Sequence, residues 1–71
     1  MSGENYYSSM KEIFDGMPKN GSEGDSVKKN SFMNMFCKKH GLKLVTAMRW
    51  FDMAVDIHVI EYVGDDCIRV N

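Results

Sequence analysis

The final stretch of the chain, VIEYVGDDCIRVN at residues 59–71, decides the fold. Apolar and polar side chains alternate on either side of a Gly-Asp-Asp turn at residues 64–66. This period of two predicts a β-hairpin that buries one face. An isolated hairpin is marginal in water, so its inward face must lie on the preceding helices. We expect that face to consist of Ile60, Tyr62, Ile68 and Val70.

A helix is predicted near the start of the chain, over residues 6–17. Its apolar residues recur at the spacing that places them on one helix face: Met10, Ile13, Phe14 and Met17. Pro18 cannot continue a helix and disfavours helical geometry in the residue before it, so the helix ends at residues 16–18. Residues 1–5 are small and polar, which predicts a disordered tail before a domain at residues 6–71.

A second and a third helix follow a loop. Residues 19–26, KNGSEGDS, contain two glycines among polar residues, which predicts a flexible loop. Helix 2 is expected from Val27 or Asn30 to His40, and Gly41 ends it. Helix 3 shows the strongest helical period of the chain and ends at Asp56. The expected core residues are Phe32, Met35 and Phe36 in helix 2, and Leu44, Ala47, Met48, Phe51 and Val55 in helix 3.

Length and composition limit the classes of function. A chain of 71 residues is one domain, and a core of this size yields only ~3–5 kcal/mol of stability. This leaves little to hold a strained active site, and no nucleophile lies beside a base in a recognisable pattern, so we do not expect an enzyme. The two cysteines and the lack of a secretory leader pattern predict an intracellular protein with free thiols. No apolar run approaches the roughly 18 residues that span a bilayer, so no membrane contact is expected.

Charge is divided unevenly along the chain. The formal net charge is −1, from 9 basic and 10 acidic residues. Residues 1–43 carry +2, whereas residues 44–71, which include helix 3 and the hairpin, carry −3. A surface that binds nucleic acid needs the opposite sign, because phosphates repel carboxylates. The C-terminal half therefore does not have the charge of a DNA-binding surface.

The order of the elements is that of a winged helix-turn-helix, an α+β fold. Three helices precede a terminal hairpin, the wing, and a very short turn joins helices 2 and 3. Winged helices most often place helix 3 in the major groove of DNA. The residues of helix 3 that would contact DNA are Lys43, Thr46 and Arg49, with Trp50 as a further candidate.

Two segments resemble the C-terminal winged-helix domain of the middle subunit of replication protein A, the eukaryotic single-stranded-DNA-binding heterotrimer, and of its telomere-capping counterpart. MKEIFDGMP, residues 10–18, is similar to the first helix of that family, an apolar stripe that ends in a small residue, a sulfur-containing residue and proline. HVIEYVGDDCIRVN, residues 58–71, is similar to its wing. The segments cover about a third of the chain. The glycine that the family has between helix 3 and the next strand is absent, because residues 54–57 read AVDI.

The resemblance implies a nuclear domain that binds little or no DNA itself. It implies docking of basic amphipathic helices from replication, repair or telomere proteins on an acidic surface at the wing and the end of helix 3. Charged groups would steer the encounter, and exposed apolar groups would supply most of the affinity. The partner-binding residues predicted in this way are Asp56, Asp65 and Asp66 from matching acidic positions, Glu61 from its charge, and Trp50 and Val59 from their apolar character.

Other functions stay open on the sequence alone. One is a DNA-binding winged helix similar to the C-terminal domain of MCM-type replicative helicases or to a small transcription or replication regulator, with the helix 3 residues named above in contact with DNA. Another is a dimerising domain that associates through Trp50 and the hairpin edge. For Trp50 the structural alternative is partial burial beside helix 1, and for Asp65 and Asp66 it is an ordinary role in the turn.

A zinc site is weighed and not predicted. Cys37 and His40 are spaced C-x-x-H, and His58 and Cys67 would complete four ligands. The second pair lies nine residues apart across the hairpin, and a small core cysteine or a histidine at a helix end is a simpler role for each residue. We therefore expect no metal and no other cofactor.

Overall fold

The computed structural model describes residues 6–19 and 26–71. The predicted tail at residues 1–5 and the interior of the predicted flexible loop, residues 20–25, lie outside the described residues. Both ends of that loop are fixed to the domain. The ammonium group of Lys19 donates to the backbone carbonyls of Phe14 and Met17 over 2.6 and 2.7 Å, and Ser26 is buried.

The described residues form a small α+β domain. In chain order its elements are α1 (Tyr6–Gly16), β1 (Val27–Lys28), α2 (Lys29–His40), α3 (Leu44–Asp56), β2 (Ile60–Tyr62) and β3 (Cys67–Val70). The strands form one antiparallel sheet in the order β1-β3-β2. The predicted α+β class and the terminal hairpin after three helices are confirmed. The order of elements is compatible with a winged helix.

Strand β1 takes the place of one of the two predicted starts of helix 2, Val27, whereas the other, Asn30, lies one residue after the observed start. Val27 and Lys28 pair with Ile68 and Cys67 of β3, and α2 begins only at Lys29. The hairpin is therefore part of a three-stranded sheet. A strand of two residues is too short to show an alternation of its own, and its partner strand lies at the other end of the sequence. The sequence consequently offers no local signal for it.

Helix α1 buries the face predicted for it. The four residues of the predicted stripe are at most 7% exposed: Met10, Ile13, Phe14 and Met17. The amide of Met17 donates to the carbonyl of Phe14 over 3.2 Å, which closes the last turn. The helix ends at Gly16, two residues before Pro18, as the sequence predicts.

Helix α2 buries Met33 where the sequence predicts Met35. Phe32 and Phe36 are fully buried as expected, but Met33 is 4% exposed and Met35 is 45% exposed. At about 100° per residue, the two methionines lie at equal angles on either side of the phenylalanine stripe, so periodicity does not choose between them. Met33 lies on the side of α2 that adjoins Leu44 of α3. The assignment of Met35 to the core is wrong.

Helix α3 is less covered than its period predicts. Ala47 and Phe51 are buried as expected, and Ala54 completes the buried face. Leu44 and Met48 are 57% and 44% exposed, so their assignment to the core is wrong. The observed buried face is rotated about the helix axis relative to the predicted stripe, which leaves these two large side chains at its margin.

The hairpin buries three of the four residues predicted to face inward. Ile60, Ile68 and Val70 are buried, whereas Tyr62 is about half exposed. Tyr62 lies at the end of β2 next to the turn, where its ring packs edge-on at the margin of the core, 6.0 Å from the ring of Phe51. Its assignment to the core interior is wrong, although it lies on the predicted side of the sheet.

Candidate protein-interaction surface

The hairpin tip, residues 63–66, lies against the start of α2. The backbone amide of Lys29 donates to the carbonyl of Asp66 over 2.7 Å. Asp65 and Asp66 are exposed at this position. The first turn of α2 contains no acidic residue, and no side chain of the described residues caps it, so its amide groups and partial positive charge are close to the tip. The tip and the first turn of α2 therefore form one continuous surface.

Asp56 and Val59 lie at the other end of β2 from the tip. Asp56 is the exposed last residue of α3, and Val59 is half-buried just before the strand. The amide of Val59 donates to the carbonyl of Ala54 over 2.8 Å, which fixes this connection. The structure therefore does not bring Asp56 and Val59 together with Asp65 and Asp66 in a single patch.

Glu61 has a basic partner on the neighbouring strand. Its carboxylate accepts a hydrogen bond from the guanidinium of Arg69 over 2.6 Å, and the two residues are directly paired in the sheet. The charge of Glu61 is thus largely balanced. Its contribution to an acidic field is smaller than the sequence suggests, although its role in binding stays a prediction.

Trp50 packs against α1. Its ring lies edge-on to Tyr6 at 4.7 Å and to Tyr7 at 6.0 Å, and its side chain is half-buried. Partial burial beside helix 1 is the arrangement that the structure shows. A role for Trp50 in binding a partner or in dimerisation stays a prediction.

The residues expected to contact DNA lie on one flank of α3. Lys43 precedes the helix and is exposed, Arg49 is exposed, and Thr46 is half-buried. At 3.6 residues per turn they follow one another along the side of α3 that does not adjoin α2. Only two positive charges are available on this flank.

A groove between α2 and α3 is the feature that sequence reasoning missed. Its volume is about 350 Å³, and it is lined by Lys29, Asn30, Met33, Asn34, Leu44 and Met48. Leu44 and Met48 have the spacing expected of buried residues on one helix face. The sequence therefore does not show that they line a groove instead of lying in the core.

The outer face of α3 beside the groove is apolar and acidic. Val45 is 67% exposed, one position after Leu44, and Met53 is half exposed. Asp52 and Asp56 are exposed on the same face at successive turns, and Arg49 is exposed beside them, three residues before Asp52 and seven before Asp56. Large apolar side chains exposed in a contiguous group are uncommon on a monomer and mark interaction surfaces.

Four of the five carboxylates in residues 44–71 form no ion pair among the described residues. Glu12, Asp15 and Glu61 form ion pairs with Lys39, Lys11 and Arg69. The carboxylates without such a pair are Asp52, Asp56, Asp65 and Asp66. These carboxylates, on α3 and at the hairpin tip, carry negative charge without an ion pair in the described part, although Arg49 on α3 and Lys28 beside the tip lie near them.

The residues considered for zinc binding are not gathered into a site in the described ranges, and His40 has other contacts. Within residues 6–19 and 26–71, no group of three or more histidine, cysteine or acidic residues is placed to hold a metal ion. His40 Nε2 shares a hydrogen bond of 2.6 Å with Ser9 Oγ, and its ring packs on Tyr6 and Phe36. In the same described part, no helix is long and apolar enough to cross a bilayer.

Comparisons with known proteins identify no relative. No protein-family model matches the chain, and neither a curated protein nor a solved structure matches it significantly.

Proposed function

We propose that this chain is a winged helix that binds a protein partner through α3 and the wing, and that it does not read DNA. The observation that carries the proposal is the outer face of α3. In a DNA-binding winged helix this face enters the major groove and carries donors and positive charge for bases and phosphates. Here it exposes the apolar side chains of Leu44, Val45 and Met48. The charged groups beside them are Asp52 and Asp56 with Arg49, so acidic groups outnumber the basic one.

Contact of this face with DNA would be unfavourable, whereas its contact with a protein surface would be favourable. Each phosphate brought near Asp52 or Asp56 would be repelled, and the exposed apolar side chains would stay without a matching surface. A protein partner would cover the apolar side chains, with a gain of about 25 cal/mol for each Å² of apolar surface removed from water. The same face that opposes DNA therefore favours a partly apolar protein surface.

The charge on the surface indicates what the partner carries. Because four carboxylates at α3 and the hairpin tip lack a basic partner in the described part of the chain, a basic segment would be attracted to them. An amphipathic helix with one apolar and one basic face matches both properties of the surface. The resemblance to the replication protein A domain suggests the same class of partner, and it extends the proposal to nuclear complexes of replication, repair or telomere maintenance.

An amide chemical-shift titration of the isotope-labelled chain tests the proposal. The titrants are a short single-stranded DNA, a short duplex, and a synthetic amphipathic peptide of leucine and lysine about 15 residues long. We expect the peptide to shift amides of α3 and the wing and the DNA to shift none at low salt. Saturable DNA-induced shifts at Lys43, Thr46 and Arg49 would instead establish the DNA-binding alternative and overturn the proposal.

A charge-reversal variant tests the acidic surface separately. Asp56→Lys, Asp65→Lys and Asp66→Lys together should leave the fold intact, because all three side chains are exposed and form no ion pair within the described ranges. The variant should lose binding of the leucine-lysine peptide. A matched control reverses one exposed charge at the distant end of α2, Lys38→Glu, and should bind the peptide as well as the unmodified chain.

A further inference from the structure

We infer that the groove between α2 and α3 holds the apolar anchor residues of the partner helix, with the basic residues of that helix directed towards the hairpin tip. The inference rests on the proposed function and adds to it a binding site, an occupant and a direction. Its occupant is a basic amphipathic helix of another protein.

The groove has the shape and chemistry of an anchor site. Met33 forms a buried floor, and the exposed Leu44 and Met48 form one wall. The volume of about 350 Å³ is at the lower end of the range of ~300–1,000 Å³ in which proteins hold ligands. Methionine side chains adapt to partners of different shape, because they are unbranched and polarisable. Such a groove suits the apolar residues that recur along one face of a helix.

The charges at the two ends of the groove give the bound helix its direction. Lys29 lines one end, and its amide is bonded to the carbonyl of Asp66, so the hairpin tip with its carboxylates adjoins this end. Asp52 lies one turn after Met48 and next to Phe51, whose ring centre is 5.1 Å from the Lys29 ammonium, so Asp52 lies towards the same end. At the other end Lys43 precedes Leu44 and is exposed. Basic residues of the partner would be attracted to the first end and repelled from the second.

The ammonium group of Lys29 forms no ion pair with these carboxylates among the described residues. It lies at the end of β2, where it donates to the hydroxyl of Tyr62 over 3.1 Å. It also lies 5.1 Å from the ring centre of Phe51 and 5.4 Å from that of Tyr62. Contacts of a cation with two aromatic faces stabilise this position. Asp65 and Asp66 therefore have no ion pair with Lys29, nor with Lys28, which is exposed beside the tip and paired with Cys67 in the sheet.

The test uses methionine methyl groups as local probes. The chain is labelled at the methionine methyls and titrated with the leucine-lysine peptide. Met33 and Met48 line the groove, whereas Met35 lies on the opposite side of α2 and Met10 lies in the core. We expect the signals of Met33 and Met48 to shift with the same saturation curve and that of Met35 to stay unchanged.

A pair of matched variants measures the contribution of the groove to affinity. Leu44→Ser with Met48→Ser removes the wall of the groove, and Met35→Ser is the control; all three side chains are about half exposed, so folding is retained. The groove variant should bind the peptide about tenfold or more weakly than the control does, as loss of a central apolar anchor requires. The fold of both variants is checked by their amide spectra.

The outcomes separate this inference from the proposed function. If the peptide binds but the groove variant and the control have equal affinity, the groove is not the anchor site, while the protein-binding proposal still holds. If no peptide binds to the unmodified chain, both are wrong. Methyl shifts of Met33 and Met48 that depend on protein concentration without peptide would assign the groove to a second copy of the chain and overturn the inferred partner.

Discussion

Gly41 and Gly16 lie at helix ends but have different backbone conformations, left-handed at Gly41 and helical at Gly16. Gly41 ends α2 with φ of 64° in the left-handed region, and its amide donates to the carbonyl of Cys37. Gly16 is the last residue of α1 and has no positive φ. Apart from its chain neighbours and the backbone of its own helix, no atom of the described residues lies within 4 Å of the place where its Cβ would be. The same substitution should therefore act in opposite directions at the two positions.

Gly41→Ala should lower the free energy of unfolding by about 1 kcal/mol, because a left-handed conformation is unfavourable for alanine. Gly16→Ala should raise it by up to about 1 kcal/mol, because alanine restricts the unfolded chain and favours the helix. Chemical denaturation of the two variants and the unmodified chain measures both values. A loss of stability in Gly16→Ala would contradict the helical geometry at that position.

Alanine substitutions of Met33 and Met35 test which side of α2 faces the core. Met33→Ala should cost about 2–5 kcal/mol, as truncation of a buried methionine does. Met35→Ala should change the free energy of unfolding by less than about 0.5 kcal/mol, because its side chain is exposed. Equal losses in denaturation experiments would show that α2 is rotated from the orientation described above.

A backbone hydrogen bond joins the start of α2 to the hairpin tip, and its presence can be tested by hydrogen exchange. The amide of Lys29 should exchange with solvent slowly, because it donates to the carbonyl of Asp66 over 2.7 Å and ties α2 to the hairpin tip. First-turn amides of a helix usually exchange fast, since they have no partner within the helix. Hydrogen exchange followed residue by residue gives the answer, with the amide of Asn30 as the fast reference. Equally fast exchange at both positions would show that the tip is not attached.

The sequence predicts elements whose signal is local and fails where distant parts of the chain meet. The stripe of α1 and the alternation of the hairpin each lie within a few residues, so α1, β2 and β3 were predictable. Val27 and Lys28 form a strand only because β3 lies beside them, and Met33 is buried rather than Met35 only because α3 lies on that side. The groove depends on the same helix contact, and no pattern within one helix shows it.

The sequence shows that residues 44–71 carry an excess of acidic side chains, but it does not show which of them form ion pairs. Glu61 is balanced by Arg69 across the sheet, whereas Asp65 and Asp66 have no ion pair among the described residues. Trp50 packs against Tyr6 and is half-buried, which only the three-dimensional contacts show, and its role at an interface stays a prediction. Charge and hydrophobicity suggest which residues belong to a binding surface, and the three-dimensional contacts determine how they are grouped.

The charged and the apolar side chains of the binding surface should contribute to different steps of binding, and the dependence of the kinetics on ionic strength distinguishes these contributions. Binding of the leucine-lysine peptide should weaken as ionic strength rises from about 0.05 to 0.5 M, mainly through a slower association rate, because salt screens exposed charges. Surface binding kinetics at several salt concentrations provide the data. An affinity independent of salt would contradict steering by the carboxylates.

The same kinetics distinguish the two parts of the surface. The triple Asp→Lys variant at positions 56, 65 and 66 should lose the salt dependence together with most of the binding. The groove variant, Leu44→Ser with Met48→Ser, should keep the salt dependence and dissociate faster, because it loses apolar contact and no charge. If both variants changed the same rate constant, the division into a steering and an anchoring part would be wrong.

The strand order β1-β3-β2 puts the last strand of the chain at the centre of the sheet. Neither β1 nor β2 has a neighbour in the sheet until β3 is present, so the sheet cannot begin to assemble from the growing N-terminal part. During synthesis on a ribosome, the three helices leave the exit tunnel before the strand that joins the rest. The apolar faces of Val27 and Ile60, which are fully buried in the finished domain, stay uncovered until then. Folding is therefore completed only after residues 67–70 are free, and a chain stalled just before them would exist as helices with an exposed core, a species prone to capture by chaperones or to aggregation.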